Sequence, residues 1–192
     1  MWHLAKWYRA QLVAVDNLDQ NPISGNHIWK NREVLKIIGQ DTRVLRPLNF
    51  TSSSPGIGYT TIVAPHDINV MVVNLMGRVF MDLVDDPFQA LEQHLLKFPL
   101  GNPQSRIMIV DFHAEATSEK MAFGYQFNGR VTAVLGTHTH IPTADHRILS
   151  KGTAYQTDVG MCGDYHSVIG FRAETVIPKF LKSGPNPRME VA

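Results

Sequence analysis

Two stretches of the chain are almost continuously apolar and rich in β-branched residues: 69–75 (NVMVVNL) and 107–112 (IMIVDF). Runs of this length and composition predict strands buried on both faces. Residues 131–135 predict a third strand and 153–159 a fourth. Between the first two, Asp86 stands as a helix N-cap ahead of Pro87 at the first helical position. Phe88, Leu91, Leu95 and Phe98 then recur at helical spacing, which predicts an amphipathic helix over 87–98. Residues 118–124 predict a short helix with Glu119 favourable in its first turn. Residues 174–181 predict another, interrupted by Pro178. Over 30–38 the stripe Val34, Leu35, Ile37 and Ile38 is helical, with Gly39 as its stop. Residues 51–58 and 99–105 carry the Ser, Pro, Gly and Asn of loops and turns. A short strand fits 12–15, although 1–24 shows no clear period, and 188–192 begins a strand with no evident partner. There is no internal repeat. Strands and helices alternating in short units predict an α/β or mixed α+β fold.

Composition narrows the class. Of 192 residues 44% are hydrophobic and 18% charged, enough apolar material for an ordinary core and unlike a disordered or collagen-like chain. The net charge is +1 and no basic run reaches five residues, so no electrostatic footprint for duplex nucleic acid or an anionic membrane is present. No apolar run is long enough to span a bilayer, and the first eight residues lack the apolar core of a signal peptide. The single cysteine, Cys162, excludes an intramolecular disulfide framework and suits a reducing compartment, the cytoplasm.

What remains conspicuous is nine histidines. In Gly136-Thr137-His138-Thr139-His140 the two imidazoles are two residues apart, and an extended backbone would point both to one side. Asp111-Phe112-His113 ends the second apolar strand. Gly25-Asn26-His27 places an amide oxygen beside an imidazole. Imidazole is the commonest protein ligand for zinc, iron, copper and nickel. Each motif alone reads better as a surface or hydrogen-bonded pair, a structural histidine or a capped turn. Together they fall at strand or loop edges with compatible donor types, and such edges at the carboxyl ends of strands are where open α/β sheets bind ligands. Arg78, in NLMGR, suits a phosphate or a structural ion pair. Glu115 and Glu119 are candidates to orient His113, and Asp158 to orient His138 or His140, because ligating histidines donate their second N–H to an acceptor. His66, His94, His146 and His166 have no motif around them, and Cys162 has no identifiable base beside it.

The order G-N-H, a strand ending in His, then G-x-H-x-H resembles the later motifs of the calcineurin-like metallophosphoesterases. GNHIWKNREVL, DFHAEATSEKMAFGY, GRVTAVLGTHTHIPTADHRIL and GTAYQTDVGMCGDY are similar to the YmdB-like bacterial phosphodiesterases, over 25–192. The resemblance implies an incomplete four-layer α/β/β/α sandwich with two metal ions, iron foremost and manganese or zinc as substitutes. It implies Asn26, His113, His138 and His140 as metal ligands and His27 as catalytic acid. The implied reaction is hydrolysis of 2′,3′-cyclic nucleotides or related phosphodiesters by a metal-bound hydroxide, with a small phosphodiester as partner and self-association left open.

The sequence departs from the family before Gly25. The Gly-Asp and Asn-Gly-Glu-Asn motifs, whose carboxylates bind and bridge the two ions, do not occur there, and Asp16 and Asp19 sit in VAVDNLDQN with the wrong neighbours. Lys30 replaces an acidic residue. Residues 1–24 are therefore expected to be an atypical segment, and 25–192 a partial metallophosphoesterase domain shortened at both ends. Full occupancy by two metals is doubtful on this reading, and the expected activity is weak or nil. The alternative is a non-catalytic metal- or nucleotide-binding remnant.

Overall fold

The computed structural model describes residues 44–181 and 188–192, together with Gly25, Ile38 and Gly184. Six strands form one sheet: β1 (Tyr59–Ala64), β2 (Ile68–Met76), β3 (Ile107–His113), β4 (Ala133–Thr137), β5 (Arg147–Ile148) and β6 (Ala154–Gln156), in the order β1-β2-β3-β4-β6-β5. β2, β3, β4 and β6 run parallel, and the antiparallel β1 and β5 form the two edges. The helices are α1 (Pro87–Lys97), α2 (Thr117–Gln126) and α3 (Ala173–Leu181). The fold is mixed α/β. The described residues form this one sheet, so of the four layers expected they supply one β layer.

Strand alternation divides the side chains between two faces. Met71, Val73 and Leu75 of β2, with Met108, Val110 and Phe112 of β3, join Leu91 and Leu95 of α1 and Phe123 of α2 in the main core. Phe112 stacks on Phe123 with ring centroids 4.1 Å apart, and Phe88 meets Phe123 at 5.2 Å. Val70, Ile109 and Ala133 form a second cluster, with Leu135 and Ala154 packed against it. Continuing the same alternation, Asn74, Asp111 and His113 share parity with this second set. The polar groups at the strand ends therefore lie on the face away from α1 and α2.

Local chemistry sets the element ends. The Asp86 carboxylate accepts from the Phe88 and Gln89 amides at 2.8 and 3.3 Å, as its N-cap position predicts. The third predicted strand is displaced from 131–135 to Ala133–Thr137, because Val131 bridges to Asn128 in the turn before it. The fourth shrinks to Ala154–Gln156, and the residues after it turn to hold a loop. Residues 118–124 lie within the longer α2. α3 runs through Pro178 rather than breaking there, losing one backbone donor in an otherwise continuous turn. The tail is paired, contrary to expectation: Val191 bridges Phe171, and the Arg172 amide donates to Glu190 O at 2.8 Å. The apolar pattern predicts neither β1 nor β5. The predicted strand over 12–15 lies outside the described residues, as does the helix over 30–38 save for Ile38, which is helical and buried.

His94, on the inner face of α1, is buried, with Nε2 3.2 Å from Met71 Sδ and its ring against Tyr59 and Phe98. Burial, helped by the nearby Lys97 charge, lowers its pKa to about 4. Unfolded chains take up this proton near pH 6.5, so between about 6.5 and 4 the unfolded state binds more protons. Stability should fall as the pH drops through that window, by up to about 1.4 kcal/mol per pH unit. Urea midpoints measured across it should be flatter for His94→Gln than for the wild type.

Candidate metal and phosphoester site

The four parallel strands end at one edge, and every described site residue from the sequence reading stands there or in the loops that leave it. β2 runs into Gly77 and Arg78, β3 ends on His113, β4 on Thr137, and β6 leads to Thr157 and Asp158. The register sets His113 beside Thr137 and Asp111 beside Asn74.

His113 is buried at the end of β3. Its Nδ1 lies 3.1 Å from Thr137 Oγ1, and Thr137 Oγ1 donates to Asp111 Oδ1 at 2.8 Å. Asn74 Nδ2 donates to the other Asp111 oxygen at 3.4 Å. The side-chain oxygen of Asn74, Oδ1, is buried and has no partner among the described residues. Gly25, which precedes Asn26 in the sequence, lies directly against the His113 ring. A Cβ there would fall 1.9 Å from Cδ2, and its φ of +55° also favours glycine.

The His138 ring meets the His113 ring edge-on at 4.8 Å. Its Nδ1 is 3.0 Å from His113 Nε2, and its Nε2 is 2.9 Å from Glu115 Oε2. Burial lowers the His138 pKa, with the Glu115 charge opposing, so the neutral ring that binds metals is favoured. A carboxylate only accepts, so the ring gives an Nε2 proton to Glu115, and the 3.0 Å contact between His138 Nδ1 and His113 Nε2 is completed by one further proton or by a cation between the two nitrogens. Two nitrogens each about 2.1 Å from one ion and at roughly right angles to one another are about 3.0 Å apart. The His113–His138 pair therefore fits a shared cation by donor type and by spacing. Among the described residues, no group of three or more His, Cys, Asp or Glu side chains is arranged to hold a metal.

The loop between these histidines is not extended, which corrects the sequence expectation. His138 has φ 113° and His140 φ 67°, conformations uncommon outside glycine. His140 Nδ1 faces Ile169 O at 3.0 Å. Asp158 holds this strained segment. Its fully buried carboxylate accepts from Thr139 N at 3.0 Å, from Gly160 N at 2.8 Å and from Lys120 Nζ at 2.9 Å. Both charges of that ion pair are buried.

The sequence of residues 19–192 matches the family described as YmdB-like protein. The chain belongs to that family. A Bacillus subtilis (strain 168) relative named 2′,3′-cyclic-nucleotide 2′-phosphodiesterase is 44% identical over 84% of this chain and 60% of its own length. A Mycoplasma pneumoniae relative named as a phosphatase/phosphodiesterase is 39% identical over 88% of this chain and 60% of its own. The chain thus spans about 60% of the length of these curated relatives. Among solved structures, a hypothetical protein from Thermus thermophilus superposes with a TM-score of 0.78 at 45% identity, covering 88% of this chain and 64% of that one. A structure titled a novel phosphatase from Mycoplasma pneumoniae gives 0.75 at 38%, covering 88% and 60%.

Within this YmdB-like chain the predicted supporting residues have different partners from those expected. Glu115 contacts His138 rather than His113, because the chain leaves β3 towards the β4 loop. Glu119 accepts from the Arg78 and Val79 amides at 2.9 and 3.2 Å, fixing the loop after β2. Asp158 acts on the backbone beside His138 and His140. Arg78 is half exposed and faces Asp86 at 3.8 Å. Asn26 and His27 lie outside the described residues. Sequence reasoning missed Thr137 and Lys120; Thr137 is in the GTHTH motif itself, whereas a lysine three residues into a helix carries no local signal. His66, His146 and His166 are exposed.

Asp158→Ala leaves the buried Lys120 ammonium unpaired and frees the Thr139 amide. It should cost about 3–5 kcal/mol of stability, read as the shift in urea unfolding free energy against the wild type.

Proposed function

We propose that this chain carries the histidine side of a metal-dependent phosphodiesterase site acting on 2′,3′-cyclic nucleotides or related phosphodiesters. The observation that carries the reading is the pair of neutral-type nitrogens, His113 Nε2 and His138 Nδ1, 3.0 Å apart at the carboxyl edge of the sheet in a YmdB-like chain. The name of the Bacillus subtilis relative supports the cyclic-nucleotide substrate, and both curated names support phosphoester hydrolysis.

On this reading His113 and His138 hold one face of an ion, with His140 and Asn26 as the further ligands that the family motifs imply. His27 serves as the acid that protonates the departing ribose oxygen. Iron is the first expectation, with manganese or zinc as substitutes, and two ions form the complete centre. Such ions supply positive charge to phosphoryl oxygens and make hydroxide available near neutral pH. Neutral imidazoles and an amide do not balance the charge of two ions, and the Gly-Asp and Asn-Gly-Glu-Asn motifs that would provide the carboxylates do not occur among residues 1–24. The proposal therefore includes weak turnover by this chain alone. It also includes a cytoplasmic setting and a small-molecule partner rather than a duplex or a bilayer. No helix among the described residues is long and apolar enough to cross a membrane.

Titration of the purified chain with Mn²⁺ should show binding that His138→Ala abolishes. Hydrolysis of 2′,3′-cyclic AMP by the loaded chain should be slow, and absent in the variant. Unchanged Mn²⁺ binding in His138→Ala overturns the ligand assignment, and rapid metal-dependent turnover overturns the weak-activity part.

A further inference from the structure

We infer that Asp111 acts through the Thr137 hydroxyl as a positioning device for His113, fixing the proton on Nδ1 so that Nε2 is the atom presented to the site. Neither Asp111 nor Thr137 is a ligand on this reading. Both act through the histidine.

The hydrogen-bond directions lead to this. The Thr137 hydroxyl has one proton, and a carboxylate can only accept, so the 2.8 Å contact commits that proton to Asp111 Oδ1. The Thr137 oxygen is then left to accept, and the group 3.1 Å away is His113 Nδ1, which must carry the hydrogen. A neutral imidazole has a single N–H, so Nε2 holds the lone pair, and Nε2 faces His138 across a contact that a further proton on the His138 side or a cation completes.

The strands make the relay rigid. Asp111 and His113 are two residues apart on β3 and share one face. Thr137 is the register partner of His113 on β4. Asn74, the register partner of Asp111 on β2, donates to its second oxygen. The carboxylate is thus held from both neighbouring strands, in a segment where Asp111 and His113 are both about 97% buried or more. Water has little access to compete for these bonds or to supply an alternative tautomer. Ligating histidines held in this way lose about 10–100-fold in metal affinity when the supporting acceptor is removed.

The metal part of this inference rests on the proposed function, while the tautomer part does not. Long-range ¹⁵N–¹H correlation spectra of the ¹⁵N-histidine chain read the protonated nitrogen of His113 directly in metal-free protein. The wild type should carry the proton on Nδ1, and Thr137→Val should redistribute it over both nitrogens, with Thr137→Ser restoring the wild-type pattern. Mn²⁺ affinity by calorimetry should fall about 10–100-fold in Thr137→Val and recover in Thr137→Ser. A wild-type His113 without a proton on Nδ1, or a Thr137→Val protein with unchanged tautomer and affinity, overturns the inference. If the wild type binds no Mn²⁺, the metal reading fails, and the spectra alone decide the relay.

Discussion

Asp158 gathers three donors that come from well-separated parts of the chain: the Lys120 ammonium from α2, the Thr139 amide from the loop after β4, and the Gly160 amide from its own turn. A buried carboxylate without such partners would be costly, and a buried lysine equally so. Their mutual dependence locks α2, β4 and the segment after β6 into one arrangement. The same carboxylate stabilises a backbone that two non-glycine residues, His138 and His140, would otherwise resist. The direction of the histidine loop is thus set by an ion pair beneath it more than by the preferences of the loop itself.

The sheet supplies the second constraint. Parallel strands deliver their carboxyl ends to one edge, and strand alternation then assigns each side chain to a face. Phe112 goes to the helices and stacks on Phe123, while its neighbours Asp111 and His113 go to the opposite face. A single-residue slip in β3 would bury the histidine among the phenylalanines. The apolar core is therefore also what aims the polar site.

Much of this is legible along the chain. The runs around residues 70 and 109 are strands because an unbroken apolar, β-branched stretch has few other ways to be buried. The Asp86-Pro87 start of α1 is readable because capping is a local interaction between neighbours in sequence. The family is readable from DFHAEATSEK and the GTHTH segment. Less local features are not. β5 is two residues long and exists through its pairing with β6. Val131 fits a strand by composition, yet a turn captures it. Glu115 is expected from its motif to serve His113 and serves His138, because which ring a carboxylate reaches depends on where the chain turns after β3.

Read along the chain, the sequence specifies the core strands β2 and β3, the capped helix α1, the mixed α/β class, the family, and the histidines that stand at strand ends. Those follow from local periodicity, capping and motif spacing, which are properties of neighbours along the chain. The tertiary structure alone decided which nitrogen of each histidine faces the other, that Thr137 and Asp111 stand behind His113, and that Lys120 lies beneath the histidine loop. These are contacts between residues about 25 to 40 positions apart, made when strand register and helix docking bring distant groups together inside a core that excludes water.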